Sequence, residues 1–289
     1  MTSALVDLRN AVRPFLENLT AGDCALVAVS GGADSLALAY ALIKEAPDLA
    51  ITLIGVTVDH QLQSGSADQA KKVQAVLKEM GYQEVLIEKV TVEEKSGLEA
   101  DARTARYAAL DSVAHAFGAT QIFLGHTRDD QAETVLLGLA RGSGNRSLNG
   151  MAELNGRFLR PLLAISRETT VAFCEDSGLA AWIDPQNSDQ KFTRVRVRKN
   201  VMQILEAELG PGVADALSRT AEQLREDETA LAELAEHYYN EFVKARSTWL
   251  EIEIDDFAAM PLAIRHRVIA LALGVLKAPE FARAPLCFA

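Results

Sequence analysis

The chain has 289 residues, enough for one large domain or two modest ones, and its 49% hydrophobic and 24% charged residues are those of a globular protein. No apolar run approaches the roughly 18–20 residues of a membrane span, and residues 1–10 lack the basic start and apolar core of a secretory signal, so the expected location is the cytoplasm. A formal charge of −11 argues against a nucleic-acid partner when taken alone, but residues 191–200 carry five basic and no acidic side chains, a strip that can still meet a polyanion.

Helical spacing of Leu5, Leu8, Val12, Phe15, Leu16 and Leu19 predicts a helix over residues 1–22, ended by Gly22. Cys24–Val29 is a valine-rich apolar run, as in a strand buried in a parallel sheet. A glycine turn and a helix over Leu36–Lys44 follow. Ile51–Val58 reads as a second strand, Ser66–Met80 as a helix capped by Gly81, and Val85–Val90 as a third strand. Leu98–Phe117 reads as a long helix ended by Gly118, Gln121–Gly125 as a fourth strand, and Asp130–Ala140 as the next helix. The glycine- and asparagine-rich stretch 141–157 is expected to be a mobile loop, and Arg160–Leu163 to return to the sheet. Ser166–Ser177 reads as a helix with Ser166 as N-cap, and Asp184–Asn187 as a turn.

Beyond Gly210–Gly212 the composition shifts to Ala, Leu and Glu, as in a long amphipathic helix running to Arg246. Four alternations of strand and helix predict an α/β fold over residues 1–212, a parallel sheet with helices on both faces. A small helical domain over 213–289 completes it. The three cysteines, Cys24, Cys174 and Cys287, have neither disulfide nor metal-site spacing.

Ligands of such sheets bind beyond the carboxyl ends of the strands, where this sequence places three polar clusters. After the first strand comes Ser30-Gly31-Gly32-Ala33-Asp34-Ser35, which opens into a helix. Glycines let backbone N–H groups approach phosphate oxygens, and the helix start favours an anion. Asp34 would repel a phosphate directly, so its functional use is to hold Mg²⁺ that bridges phosphates. The loop lacks both the P-loop lysine and the G-x-G-x-x-G spacing; its bland reading is a tight turn with a capping serine. Asp59 and His60 follow the second strand, as nucleotide contacts or as supports behind them. His126 and Asp130 follow the fourth, four apart and able to share a helix face, unless Asp129 or Asp130 is only an N-cap. Arg103 and Arg106, three apart, could present guanidinium groups to phosphate or RNA, or pair with Glu99 or Asp101. Arg194, Arg196 and Arg198 point one way if the segment is extended, whereas Arg194 and Arg198 stack if it is helical. Phe192, Trp182 and Tyr107 read as core packing first and as base-stacking groups second.

Ser30–Ser35 resembles the pyrophosphate loop of the N-type ATP pyrophosphatases. That likeness implies an adenine nucleotide alpha hydrolase-like fold and cleavage of ATP between its α and β phosphates. Further segments resemble the tRNA(Ile)-lysidine synthases: Val58-Asp59-His60-Gln61-Leu62, with Gln63 where arginine is usual; Glu99, Ala102-Arg103 and Arg106-Tyr107; Gly125 through Thr134; Arg141-Gly142-Ser143-Gly144; Gly150-Met151; Arg160-Pro161-Leu162; Asp184-Pro185-x-Asn187; and Phe192 through Arg198. The resemblance implies that Ser30 to Ser35, Asp59, His60 and Gly125 bind ATP, that Asp34 holds Mg²⁺, and that Asp34, His126, Asp130 and Arg198 serve catalysis. It implies that Arg103, Arg106, Arg194, Arg196 and Arg198 contact a tRNA(Ile) with a CAU anticodon, and that free L-lysine is the second substrate. Phe257–Leu276, with Arg265 and Arg267, resembles the family's first helical domain, and a chain ending at Ala289 reads as a short form. Residues 279–288 match no pattern.

Overall fold

The computed structural model describes residues 3–61, 63, 65–92, 97–142, 145–246 and 249–276. Leu62, Ser143, Gly144, the Glu99 side chain and the segment 279–288, all singled out above, lie outside what it describes.

The apolar runs form strands and the amphipathic runs form helices, in strict alternation: α1 (Ser3–Glu17), β1 (Cys24–Ala28), α2 (Ala33–Glu45), β2 (Thr52–Asp59), α3 (Ser66–Met80), β3 (Glu84–Lys89), α4 (Leu98–Phe117), β4 (Gln121–Leu124) and α5 (Arg128–Arg141). Then come α6 (Asn145–Leu148), β5 (Leu154–Asn155), β6 (Phe158–Leu159), α7 (Arg167–Asp176), α8 (Thr193–Arg196) and α9 (Met202–Leu209). Five strands are parallel and β5 alone runs antiparallel, in the order β3-β2-β1-β4-β6-β5. The chain leaves β1 toward β2 on one side and later pairs β4 on the other, so the sheet has its topological switch point between β1 and β4.

Alternate residues of the central strands feed two cores. Ala25, Val27 and Phe123 pack with Leu8, Val12, Leu36, Leu42, Leu77 and Phe173 of α1, α2, α3 and α7. Leu26, Ile122 and Leu124 face Leu110, Val113 and Ala114 of α4 on the opposite side. Helices therefore cover both faces, as expected.

Several local expectations change, and helix α1 ends at Glu17 rather than at Gly22. Helix α2 starts at Ala33 rather than Leu36, so the loop's aspartate and second serine belong to its first turn. The return to the sheet is β6 at 158–159, which ends immediately before Arg160, and 161–164 form the turn after it. The stretch 141–157 holds a helical turn and the β5–β6 hairpin rather than an open loop. Its end is fixed by Gln131, whose amide takes the Met151 N–H at 2.6 Å and donates to the Met151 carbonyl at 2.9 Å. Gly150 has no room for a side chain, because a Cβ there would lie 2.5 Å from the Gln131 Oε1.

The chain divides into two units, Met1–Thr220 and Ala221–Ala289. The division falls inside α10 (Val213–Phe242). The second unit continues with β7 (Lys244–Ala245), β8 (Leu250–Glu251), α11 (Ile254–Ala259) and α12 (Leu262–Leu276), and its core is Ala235, Met260, Ile264 and Val268. The helix expected to reach Arg246 stops at Phe242, and a two-stranded hairpin follows.

Candidate active site

The phosphate loop sits at the switch point. Gly31 adopts φ +89°, in the left-handed region, and a Cβ there would lie 2.7 Å from Val73 Cγ2. The Ser35 hydroxyl donates to the Gly32 carbonyl at 2.9 Å and accepts from the Ser30 N–H at 3.2 Å, which closes the turn. Trp182 N–H donates to the Gly31 carbonyl at 2.8 Å, so the tryptophan's backbone props the loop from outside. Gly125, at the end of β4, has its Cβ position 3.0 Å from the Asp34 carbonyl and 3.0 Å from Ser35 Cα. The two strand-end loops are in backbone contact because that residue has no side chain.

Around this junction lies a ring of alternating charge. Asp34 accepts a short hydrogen bond from the Thr170 hydroxyl and lies 3.5 Å from Arg167 Nε. Arg167 also donates to Asp130 at 2.7 Å and to Glu133 at 3.4 Å, and its N–H donates to Asp129 at 2.8 Å. Arg198 grips Glu133 at 2.6 and 3.0 Å and reaches Asp130 at 3.1 Å. Three carboxylates thus share two guanidinium groups. Burial pushes the Asp34 carboxyl up, and Arg167 only partly offsets this. Burial acts on Asp130 in the same sense, but Arg167, the Thr127 N–H and Arg198 bring it below the usual carboxylate range. The N-cap of α5 is Thr127, and Asp130 answers it in a capping box, accepting from its N–H at 2.9 Å and its hydroxyl at 3.1 Å. The bland and functional readings of Asp130 therefore hold together, because one oxygen caps the helix while the other meets the arginines.

A second cluster is cationic. Arg103 and Arg106 project from α4, and both guanidinium carbons lie over the Tyr107 ring, at 4.8 and 5.7 Å from its centre. Phe158 packs against the same ring at 4.7 Å. Arg160, 3% exposed, donates to the Ala152 carbonyl at 2.8 Å and to the Tyr107 oxygen at 3.4 Å. Among the described residues the buried Nε atoms of Arg106 and Arg160 and the Nδ1 atoms of His60 and His126 have no hydrogen-bond partner. Burial and then Arg106 push the His126 imidazole down to about 3, so the ring is neutral at any working pH. The same two causes lower His60. Burial and the neighbouring arginines lower Arg106 as well.

The structure brings together Ser30 to Ser35, Gly125, His126, Asp130 and Arg198, and gathers His60, Arg103 and Arg106 near His126. Asp59, 4% exposed, uses a carboxylate oxygen to hold the Gln61 N–H at 2.9 Å, which marks it as a support of the turn after β2. The segment 193–198 is helical, so Arg194 and Arg198 turn toward α5, where Arg194 donates to Thr134 at 3.1 Å. Arg196 points elsewhere, to the carbonyls of Gln190 and Lys191 at 2.7 and 2.9 Å, so the extended alternative with three arginines on one side does not occur. Sequence reasoning missed Arg167, Thr170, Glu133 and Arg160 as members of the site. Among the described residues no group of three His, Cys, Asp or Glu side chains forms a metal cage. A single carboxylate such as Asp34 suits Mg²⁺ held mainly by phosphates and water.

The profile of the PP-loop domain family matches residues 5–205. The chain is 52% identical over 257 residues to a tRNA(Ile)-lysidine synthase of Leifsonia xyli subsp. xyli, covering 89% of this chain and 77% of that one. It is 48% identical to the tRNA(Ile)-lysidine synthase of Thermobifida fusca, with 92% and 82% covered. Among solved structures, a U34-tRNA thiolase from Methanococcus maripaludis with its 4Fe–4S cluster superposes with a TM-score of 0.66 at 20% identity, over 77% of this chain and 79% of that one, a likeness of fold.

Proposed function

The chain belongs to the tRNA(Ile)-lysidine synthase family of PP-loop proteins, and from that membership we propose that it joins L-lysine to C2 of the wobble cytidine of CAU-anticodon tRNA(Ile) at the expense of ATP. ATP adenylates the cytidine 2-oxygen with release of pyrophosphate. The lysine amine, having lost a proton, attacks C2, and AMP departs with that oxygen. Lysidine is the product. A pyrimidine oxygen is a poor leaving group until AMP is attached to it, which is the reason for using ATP.

The observation that carries this reading is the backbone contact of Gly125 with Asp34 and Ser35. It sets the phosphate loop beside the His126–Asp130 block, so a nucleotide α-phosphate and an acceptor base can meet there. Ser30 to Ser35 hold phosphate oxygens through their N–H groups and hydroxyls. Asp34 would hold Mg²⁺, which would supply positive charge against the phosphates. His60 borders the nucleotide, with Asp59 behind it, and neutral His126 offers a hydrogen bond without adding charge. The carboxylates of Asp130 and Glu133 attract the lysine ammonium once Arg198 turns from them to the substrate, and either can take its proton. Arg103, Arg106, Arg194 and the exposed Arg196 meet tRNA phosphates, and the domain that begins at Val213 supplies tRNA contacts of its own. The reaction belongs in the cytoplasm.

The test is incubation of the chain with CAU-anticodon tRNA(Ile), labelled lysine, ATP and Mg²⁺. Lysine should enter the tRNA with AMP and pyrophosphate in equal amounts, and neither product should form without tRNA. No incorporation would overturn the assignment. Sulfur incorporation in its place would favour thiolase chemistry, which the wide spacing of Cys24, Cys174 and Cys287 disfavours.

A further inference from the structure

Tyr107 stands at the centre of a group in which Arg103 and Arg106 are given to phosphate above, while Tyr107 and Arg160 have no role yet. Its oxygen accepts hydrogen bonds from Arg103 at 3.1 Å and Arg160 at 3.4 Å. Two donors already point at that oxygen, so its own hydrogen is left for a third partner. Among the described residues no acceptor meets it. The Nε–H groups of Arg106 and Arg160 are buried and equally without acceptors. Among the described residues no carboxylate pairs with Arg106 or Arg160, in contrast to Arg167 and Arg198 nearby. The guanidinium groups of Arg106 and Arg160, gathered on one phenol without a carboxylate among the described residues, repel one another, and burial raises that cost. A fold keeps such an arrangement when something negative completes it. Every unsatisfied group named here except the two histidine nitrogens is a donor, so the complement is an acceptor-only anion with several oxygens.

We propose that Arg103, Arg106 and Arg160, held in place by the Tyr107 ring and hydroxyl, form a seat for one phosphate group beside His126, with Tyr107 and Arg160 as its positioning residues. The proposal rests on the synthase reading for the source of the phosphate, either the tRNA backbone or ATP, but not for the existence of the seat. Tyr107 performs two tasks. Its ring, fixed against Phe158, lies beneath the guanidinium groups of Arg103 and Arg106. Its oxygen keeps the forks of Arg103 and Arg160 turned inward, so little reorganisation is needed when the anion arrives. Arg160 in turn is aimed by the Ala152 carbonyl, which lies just past the Gln131 clamp on Met151.

Two variants of the full chain separate this from a packing role. Tyr107→Phe keeps the ring and its stacking but removes the oxygen. Arg160→Lys keeps the charge but loses the fork. Inorganic phosphate is titrated by calorimetry into the wild type and both variants, and KM and kcat are measured for ATP and for tRNA. Tyr107→Phe should weaken phosphate binding about tenfold or more, the loss of a hydrogen bond to a charged group, with an unchanged melting temperature. A matching rise in the KM for tRNA alone assigns the seat to a backbone phosphate; a rise for ATP alone assigns it to the nucleotide. Wild-type phosphate binding and unchanged KM values in both variants would overturn the proposal, as would a wild type that binds no phosphate. Tyr107-dependent phosphate binding by a chain that makes no lysidine would sink the synthase reading and leave the seat standing.

Discussion

Arg167 is the residue on which the charged ring depends, for it touches Asp34, Asp130 and Glu133 at once and donates its N–H to Asp129. Arg167→Gln should cost about 2–4 kcal/mol in urea unfolding, below or at the lower end of a fully buried pair because its side chain keeps 23% exposure. A loss under about 0.5 kcal/mol, the size of a surface pair, would show that Arg198 alone balances the carboxylates. His126 makes a separate prediction about pH. Its imidazole falls to about 3 from an ordinary 6.5, so the fold favours the neutral ring. That contribution is complete above pH 6.5 and is lost as pH falls toward 3. His126→Gln, neutral throughout, should therefore show a flatter decline in stability between those limits, read from urea midpoints at a series of pH values; parallel curves would contradict the burial argument. The sequence showed His126 and Asp130 through their spacing but left one faint mark of Arg167, a cation in the first turn of α7, where the helix dipole disfavours it. Its partners lie 34 to 133 positions away, a separation that no local pattern spans.

At the scale of elements, the junction of α2 with the end of β4 sets the site. Gly125→Ala would place a methyl group 3.0 Å from the Asp34 carbonyl and Ser35 Cα, against backbone that cannot rotate aside. The expected outcome is a loss of about 1–3 kcal/mol by thermal unfolding and a clear fall in ATP affinity, because the loop must shift. Unchanged nucleotide binding would dissociate the phosphate loop from the β4 end. The long elements were legible because their periodicity runs over many residues, as in α3 and α4, whose ends at Met80 and Phe117 precede left-handed glycines. Strands β5 and β6 have two residues each and leave no period to read. The 193–198 segment was ambiguous because arginine and valine alternate as in a strand. Its helical form follows from the positions of its partners, Thr134 for Arg194 and Glu133 for Arg198, which place both arginines on one face. Gln63 stands where the resemblance leads one to expect arginine, and its amide donates to Asp184 at 3.0 Å, which ties those two segments without a charge on that side chain.

Over the molecule as a whole, the net charge of −11 and the basic strip at 191–200 act in opposite senses on a polyanion. Binding of tRNA should weaken steeply with salt, and Arg196→Ala should reduce the slope of log K against log salt by about one if that exposed group meets a phosphate. An unchanged slope would place the strip off the RNA. The fold class was legible because four alternations admit few topologies. The Gln131 clamp has a consequence for the covalent chain itself. Residues 151–160 are held by the Gln131 amide, by Arg160 on Ala152 and by β6 on β4, none of which needs an intact chain at the exposed Arg141. Brief trypsin treatment that nicks the protein at Arg141 should leave two fragments that stay together through size-exclusion chromatography and separate only in denaturant. The catalytic half would then tolerate permuted termini at that point.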